Sequence, residues 1–284
     1  MKEWVWFDSE LESGYQLGLE VTKRIYQDQT SLQKLAIYDT ATFGRVMALD
    51  GVIQITEHDE FMYSEMLAHV PIFAHGAASE VIIIGGGDGA VLEEVLKHQS
   101  VQRVTLVEID PHVVQLCRKY LPSISGNAFD DPRTELVFAD GASFVGETDR
   151  RADVLIVDST DPIGPGTSLF STAFYSGCHS CIKSDGILVT QSGVPFVQRE
   201  ELHQSFQRLR DVFEDVGCYL TTVPTYCCGP MALVWASNDP AKRIAPLHTL
   251  TERFEAANIK TGYYTPQVHT AAFSLPTYIE KLIV

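Results

Sequence analysis

A chain of 284 residues with 45% hydrophobic side chains is long enough to bury one large core with a smaller appendage, and its mixed composition argues against disorder. Its formal charge of −16 disfavours nucleic acid as a partner, because phosphates need a clustered basic footprint and none is present. No uncharged apolar run approaches the roughly 20 residues that a membrane helix needs, so no membrane partner is expected.

The first fourteen residues carry Lys2, Glu3, Asp8, Glu10 and Glu12 among three aromatics, unlike the apolar core of a signal peptide, and a cytoplasmic protein is expected. Trp4, Trp6 and Phe7 are expected to dock the N-terminus on the core. From Leu17 to Gln54 the runs GLEVTKRIYQ, QKLAIYDT and GRVMALDGVIQI alternate apolar and polar residues, with turn formers at Thr42 to Gly44 and Asp50 to Gly51. This pattern predicts a small antiparallel sheet. Asp59 to Ala74 reads as a helix leading to a joint at His75, Gly76 and Ala77, which divides a β domain (1–75) from a Rossmann-like catalytic domain (76–284).

The second domain opens with SEVIIIGGGDGAVLEEVLKH, an apolar strand at Val81 to Ile84, a glycine-rich turn and a helix at Ala90 to His98. Further strands are predicted at Val104 to Glu108, Glu135 to Phe138, Val154 to Asp158 and Ile187 to Gln191, with helical stretches between most of them. Such alternation predicts an α/β fold with a doubly wound, mainly parallel sheet. Tyr219 to Val223 and Met231 to Ala236 should then pair as a C-terminal antiparallel hairpin, typical of S-adenosylmethionine-dependent methyltransferase folds. The six cysteines show no disulfide framework. Cys178 and Cys181 lack a matching ligand pair for zinc, and His69, His75 and His269 lack metal-ligand spacing, so these are read as structural and no metal is expected.

Ligands of an open α/β sheet bind beyond the carboxyl ends of its strands, and here those ends are repeatedly acidic: Asp88, Glu108 with Asp110, Asp140, and Asp158 with Asp161. One such residue is weak evidence, since Asp also caps helices, an open alternative at Asp110. Four successive acidic ends are different. Like charges in one crevice repel and are best tolerated where a ligand's cation, hydroxyls or amines compensate them. Asp88, in GGGDG, would repel the carboxylate of ordinary S-adenosylmethionine and attract an aminopropyl ammonium. Glu108 is placed to accept from ribose hydroxyls, and Asp140 with Gly141 to meet adenine. The Gly- and Pro-rich segment DSTDPIGPGTSLF, Asp158 to Phe170, suits a lid.

GRVMALDGVIQ, DEFMYSEM, HVPI, IIIGGGDGAVLEEV, VEID, Asp140-Gly141, DSTDPIGPGTSLF, VPTY and HTAAFSLP together resemble the spermidine synthase (polyamine aminopropyltransferase) family, over nearly the whole chain. The resemblance implies transfer of the aminopropyl group of decarboxylated S-adenosylmethionine, a co-substrate, to a diamine, with no metal and no permanently bound cofactor. It also implies a homodimer or homotetramer. Asp158 becomes the catalytic base, with Tyr63 beside it. Gln33, Asp88, Glu108, Asp140, Gly141, Pro165 and the loop glycines Gly85 and Gly87 become donor contacts, with Gln54 a weaker candidate. Asp88, Asp158, Asp161, Tyr63, Ser64 and Tyr226 become acceptor contacts.

The sulfonium already activates its leaving group, so such an enzyme must orient, desolvate and deprotonate the attacking amine. An alkylamine resembles Lys, with a pKa of about 10.4, so neutralising it near pH 7 costs roughly 5 kcal/mol. Acidic neighbours should therefore anchor the distal ammonium while Asp158 takes the proton.

Some positions depart from the family pattern: Ser64 stands where His or Gln is usual, Glu93 where a basic residue is common, Thr167 where Glu is common, and Cys227 and Cys228 follow Tyr226 in place of the usual residues. They bear on the acceptor, and Ser64 with the two cysteines is expected to admit something longer than putrescine, such as cadaverine. An S-adenosylmethionine-dependent methyltransferase and a non-catalytic nucleoside or polyamine-binding protein are the alternatives.

Overall fold

A computed structural model describes residues 3–7 and 16–284, apart from the side chain of Pro165. Five strands, β1 (Glu3–Phe7), β2 (Leu17–Gln29), β3 (Lys34–Thr40), β4 (Gly44–Leu49) and β5 (Val52–Thr56), form an antiparallel meander in sequence order. The run GRVMALDGVIQI splits at Asp50 and Gly51, which both take positive φ (50° and 86°), the two-residue turn whose twist matches a hairpin.

Strand β1 lay outside the predicted elements. Successive side chains of a strand face opposite ways, so the expected docking of three N-terminal aromatics is corrected to one. Phe7 is buried, edge-on to Tyr38 at 5.8 Å. Trp4 and Trp6, on the other face, are 54% and 60% exposed and stack at 6.5 Å.

Helix α1 (Phe61–His75) follows and ends at Gly76, whose φ of 82° makes a left-handed cap. Met66, Leu67, Val70 and Phe73 of this helix join the core beneath the larger sheet. That sheet comprises β6 (Glu80–Gly85), β7 (Arg103–Glu108), β8 (Thr134–Phe138), β9 (Ala152–Asp158), β10 (Ile182–Gln191), β11 (Asp215–Thr221) and β12 (Met231–Ser237). Its order is β11-β12-β10-β9-β6-β7-β8. Pairing is parallel from β10 across to β8, and β12 runs antiparallel to both β10 and β11. The chain proceeds outward one way from β6 and the other way from β9, so the topological switch point, where such sheets bind ligands, lies between those two strands.

The sheet is buried on both faces. Val81, Ile83, Val104, Leu106, Val154 and Ile156 point to the layer containing α1 and α2 (Ala90–Leu96). The alternate residues Ile82, Ile84, Val107, Leu155 and Val157 point to the layer of α5 (Gly141–Glu147), α6 (Thr172–Ser180) and α7 (Arg199–Arg210); between α2 and α5 in the chain come α3 (Pro111–Tyr120) and the single-turn α4 (Pro122–Ser125). Cys178 and Cys181 are fully buried there as free thiols. The meander rests on the second domain through Leu35, Ile37, Met47 and Leu49, which pack with Val113, Leu116 and Cys117 of α3.

Beyond the hairpin, α8 (Pro240–Arg243), α9 (Leu247–Ala257), α10 (Pro266–Ala272) and α11 (Thr277–Glu280) wrap back over the core. The carboxylate of Glu65 in α1 accepts from the backbone amides of Gly262, Tyr263 and Tyr264 at 2.6–2.9 Å, tying this C-terminal segment to α1. Among the described residues no helix is long and apolar enough to cross a membrane.

Candidate active site

At the switch point β6 and β9 end side by side, with Gly85 opposite Asp158. Gly85 has φ +82°, and a side chain on it would overlap the Asp158 carbonyl oxygen, so the approach of the two strands demands glycine. The next amide, of Gly86, donates to that carbonyl at 2.9 Å. A Cβ on Gly87 would meet Glu108 Oε2 at 2.6 Å. The loop thus brings the ends of three strands together around a bare backbone.

A cavity opens there between the larger sheet, the meander and α1. Its described lining includes seven carboxylates, Asp59, Glu60, Asp88, Glu108, Asp140, Asp158 and Asp161, and no Lys, Arg or His. Gln33, Gln54, Tyr63, Gly85, Gly87, Gly141 and Tyr226 also line it. Pro165 stands in the 3-10 turn Gly164–Phe170; its side chain lies outside the described residues.

Local structure fixes the strand-end acids. Asp88 Oδ1 accepts from the Ala90 amide at 2.8 Å at the start of α2, and Asp140 caps α5 through the Ser143 amide at 2.8 Å. Glu108 Oε1 accepts from the Asp110 amide at 2.8 Å. Asp110 caps α3 through the His112 amide and also accepts from Thr30 Oγ1 and Gln33 Nε2 at 3.1 and 3.2 Å. It is therefore both a cap and the bracket that presents Gln33 from the β2–β3 turn to the cavity.

The opposite wall is held by long-range contacts. Tyr63 Oη donates to Asp158 Oδ1 at 2.8 Å, across 95 positions of sequence. Tyr226 stands edge-on to Tyr63 at 6.0 Å and donates from its hydroxyl to the Gln54 carbonyl at 2.5 Å. Asp59 accepts from Thr56 Oγ1, the Thr225 amide and Thr225 Oγ1, at 2.6, 2.9 and 2.7 Å, pinning the 224–226 loop to the start of α1.

Ser64 does not border the cavity. It is fully buried, and its hydroxyl donates to Glu60, 2.5 Å from Oε2 and 2.9 Å from the carbonyl oxygen. Helical phase accounts for this: Ser64 lies 100° round from Tyr63 and one turn after the N-cap residue Glu60, so it stacks behind the Glu60 side chain, which takes the position facing the cavity. Of the other departures, Cys227 lines the cavity, Cys228 is exposed, and Glu93 pairs with Lys97 at 2.9 Å. Thr167 is exposed and donates to the Pro162 carbonyl.

Burial in a cavity whose described lining holds no cation reshapes the acids. Asp158 is pushed up to about 8, first by burial and then by the neighbouring Asp88 carboxylate, against the lowering effect of the Tyr63 hydrogen bond. Burial raises Glu108 to about 7 and raises Asp88 as well. It also pushes the phenols of Tyr63 and Tyr226 well above 10, with Asp158 adding to both. Such a site favours a cationic ligand, which would stabilise the ionised carboxylates.

Glu60, Asp59 and Thr225 went unrecognised in the sequence as site residues. A helix-face reading of Glu60 against Tyr63 would have found the first. The others are partners of residues distant in sequence and left no local signal. Among the described residues no group of three or more His, Cys, Asp or Glu side chains is arranged to hold a metal.

Fold and crevice define a protein of the methyltransferase-like α/β class with an acid-lined site at its switch point. Residues 60–245 match the spermine/spermidine synthase domain, and residues 5–57 the spermidine synthase tetramerisation domain. The chain is 51% identical to the polyamine aminopropyltransferase of Ruegeria sp. (strain TM1040) over 282 residues, 99% of either chain. It is 49% identical to that of Serratia proteamaculans over 275 residues, 97% of this chain and 96% of that one. A spermidine synthase solved with the transition-state analogue AdoDATO superposes with a TM-score of 0.93 at 38% identity, covering 99% of this chain and 94% of that one. The spermidine synthase of Thermotoga maritima gives 0.91 at the same identity and coverage. The chain belongs to the spermine/spermidine synthase family, and it is an aminopropyltransferase.

Proposed function

We propose that the protein transfers the aminopropyl group of decarboxylated S-adenosylmethionine to a diamine, putrescine or a longer one such as cadaverine, and releases methylthioadenosine. The nucleoside lies against Gln33, Glu108, Asp140, Gly141 and Pro165, with the backbone at Gly85 and Gly87 allowing close approach. Asp88 meets the aminopropyl ammonium, which a carboxylate-bearing donor would not present alone. Asp161, Tyr63 and Tyr226 border the acceptor. Ser64, turned to Glu60, reaches the acceptor only through that carboxylate, so extra room for a longer diamine rests on Cys227.

In the reaction the amine lone pair forms the new N–C bond as the C–S bond breaks, and its electrons pass to sulfur, leaving a neutral thioether. The amine proton goes to Asp158. The observation that carries this reading is the Asp158 carboxylate held by Tyr63 and raised to about 8. Its proton affinity lies closer to that of an alkylamine, about 10.4, than an ordinary carboxylate's does, which favours general-base transfer.

The match of residues 5–57 to a tetramerisation domain supports a homodimer or homotetramer assembled through the meander, and a biosynthetic transferase of this kind belongs in the cytoplasm. The test is methylthioadenosine release from the decarboxylated donor with putrescine, cadaverine, diaminopropane, agmatine and spermidine, in wild type and D158N. Turnover with one preferred amine, and a loss in kcat of about 10²- to 10⁴-fold in D158N, is the expected outcome. Tight nucleoside binding with no turnover for any amine would leave a binding protein instead.

A further inference from the structure

Glu60, the N-cap residue of α1, lines the cavity about one turn before Tyr63. It therefore lies beside the side chain that holds Asp158 but displaced along the wall. Its neighbour Asp59 already accepts three hydrogen bonds from Thr56 and Thr225. Glu60 is oriented differently, from behind, by the hydroxyl of Ser64. The described lining offers it no Lys, Arg or His, and the charges that shift it, Glu94, Asp88 and Glu93, are all like its own; with burial as the leading cause they raise it to about 7. A carboxylate so placed gains most from a cation brought by the ligand.

We propose that Glu60, held in position by Ser64, receives the distal ammonium of the acceptor and is the residue that selects a diamine over a monoamine. The inference rests on the reaction assigned above. It separates two tasks among seven acids: Asp158 handles the reacting nitrogen, which must lose its charge, while Glu60 handles the nitrogen that keeps it. The short Ser64 side chain lies inside α1 and presents Glu60 to the cavity instead of entering it. Acceptor choice in this chain is thereby set by a carboxylate four residues before the departure from the family pattern.

The experiment compares wild type, E60Q, E60D and S64A with a linear diamine and the n-alkyl monoamine of equal chain length, using the decarboxylated donor. E60Q is expected to raise KM for the diamine about 10- to 100-fold. Its kcat/KM for the monoamine and its KM for the donor should change by less than about three-fold, so the preference for the diamine collapses. S64A should show the same split at about two- to five-fold, because a hydrogen bond to the anchor is lost and the anchor is not. E60D keeps the charge but withdraws it by one methylene, so its preferred diamine should lengthen. A diamine-to-monoamine ratio unchanged in E60Q, or equal loss for both amines, overturns the assignment, as does an unshifted chain-length optimum in a folded E60D. Should wild type release no methylthioadenosine with any amine, the reaction itself falls and this inference with it; turnover in wild type with an unchanged ratio in E60Q removes the inference alone.

Discussion

The two walls of the cavity are made in different ways. On the donor side Asp88, Glu108 and Asp140 end strands of one sheet, and each is fixed by an amide within three residues of itself. On the acceptor side Tyr63, Asp59 and Tyr226 are fixed by partners 95, 166 and 172 positions away. A locally built wall retains its geometry as long as the sheet exists. A wall assembled from the meander, α1 and the 224–226 loop can be retuned by single side chains, so the donor half is suited to constancy and the acceptor half to change of specificity.

The sharpest way to break this division, after D158N, is at Asp88. D88N should weaken the decarboxylated donor about 10- to 100-fold, the scale of a charged hydrogen bond. Binding of ordinary S-adenosylmethionine should be affected far less, as read by calorimetry; equal loss for both donors would remove the electrostatic reason for its assignment. A smaller effect is expected at Y226F, which removes the donor to the Gln54 carbonyl. KM for the diamine should rise about three- to ten-fold with donor affinity unchanged, and a shift in donor affinity would show that the walls are not independent.

The smallest effect is one of pH. Asp158 and Glu108, raised to about 8 and about 7 in the fold, bind protons that an unfolded chain, with carboxylates near 4, has already released. Their stabilising contribution is complete below the unfolded values and is lost as pH rises through about 4 to 8, so the empty protein should melt a few degrees lower at pH 8 than at pH 5. Saturating decarboxylated donor should flatten this slope. Glu60, also raised to about 7, adds to the slope, so the loss should shrink in D158N and in E108Q and vanish in neither; a slope unchanged in both variants would remove Asp158 and Glu108 as its source.

The donor wall was legible in the sequence because its signals are short: GGGDG after an apolar strand, then acids at successive strand ends. The doubly wound, mainly parallel sheet and the closing hairpin followed from the same alternation. Strand β1 was not foreseen because its three aromatics, Trp4, Trp6 and Phe7, read as residues docking the N-terminus on the core, and α8–α11 follow no motif of ligand chemistry. Ser64 illustrates the limit on the acceptor side: adjacency to Tyr63 in sequence put it near the site, but 100° of helix rotation put its side chain behind Glu60. Glu93, out of place against the family pattern, is paired by Lys97 one helical turn on and needs no role in the acceptor site.

Helix α1 also carries consequences beyond its cavity face. Three amides of residues 262–264 converge on Glu65, two positions after the tyrosine that donates to Asp158. Deeper along the helix, His69 meets His98 at 2.9 Å in a pair that burial drives to about 3 and about 2, uncharged across the physiological range. The tail of the chain and the floor of the sheet thus meet on one rod whose other side carries Tyr63. A truncation or a tag that loosens the last twenty-odd residues should be felt as a loss of turnover, although no residue of that segment is among the described lining of the cavity.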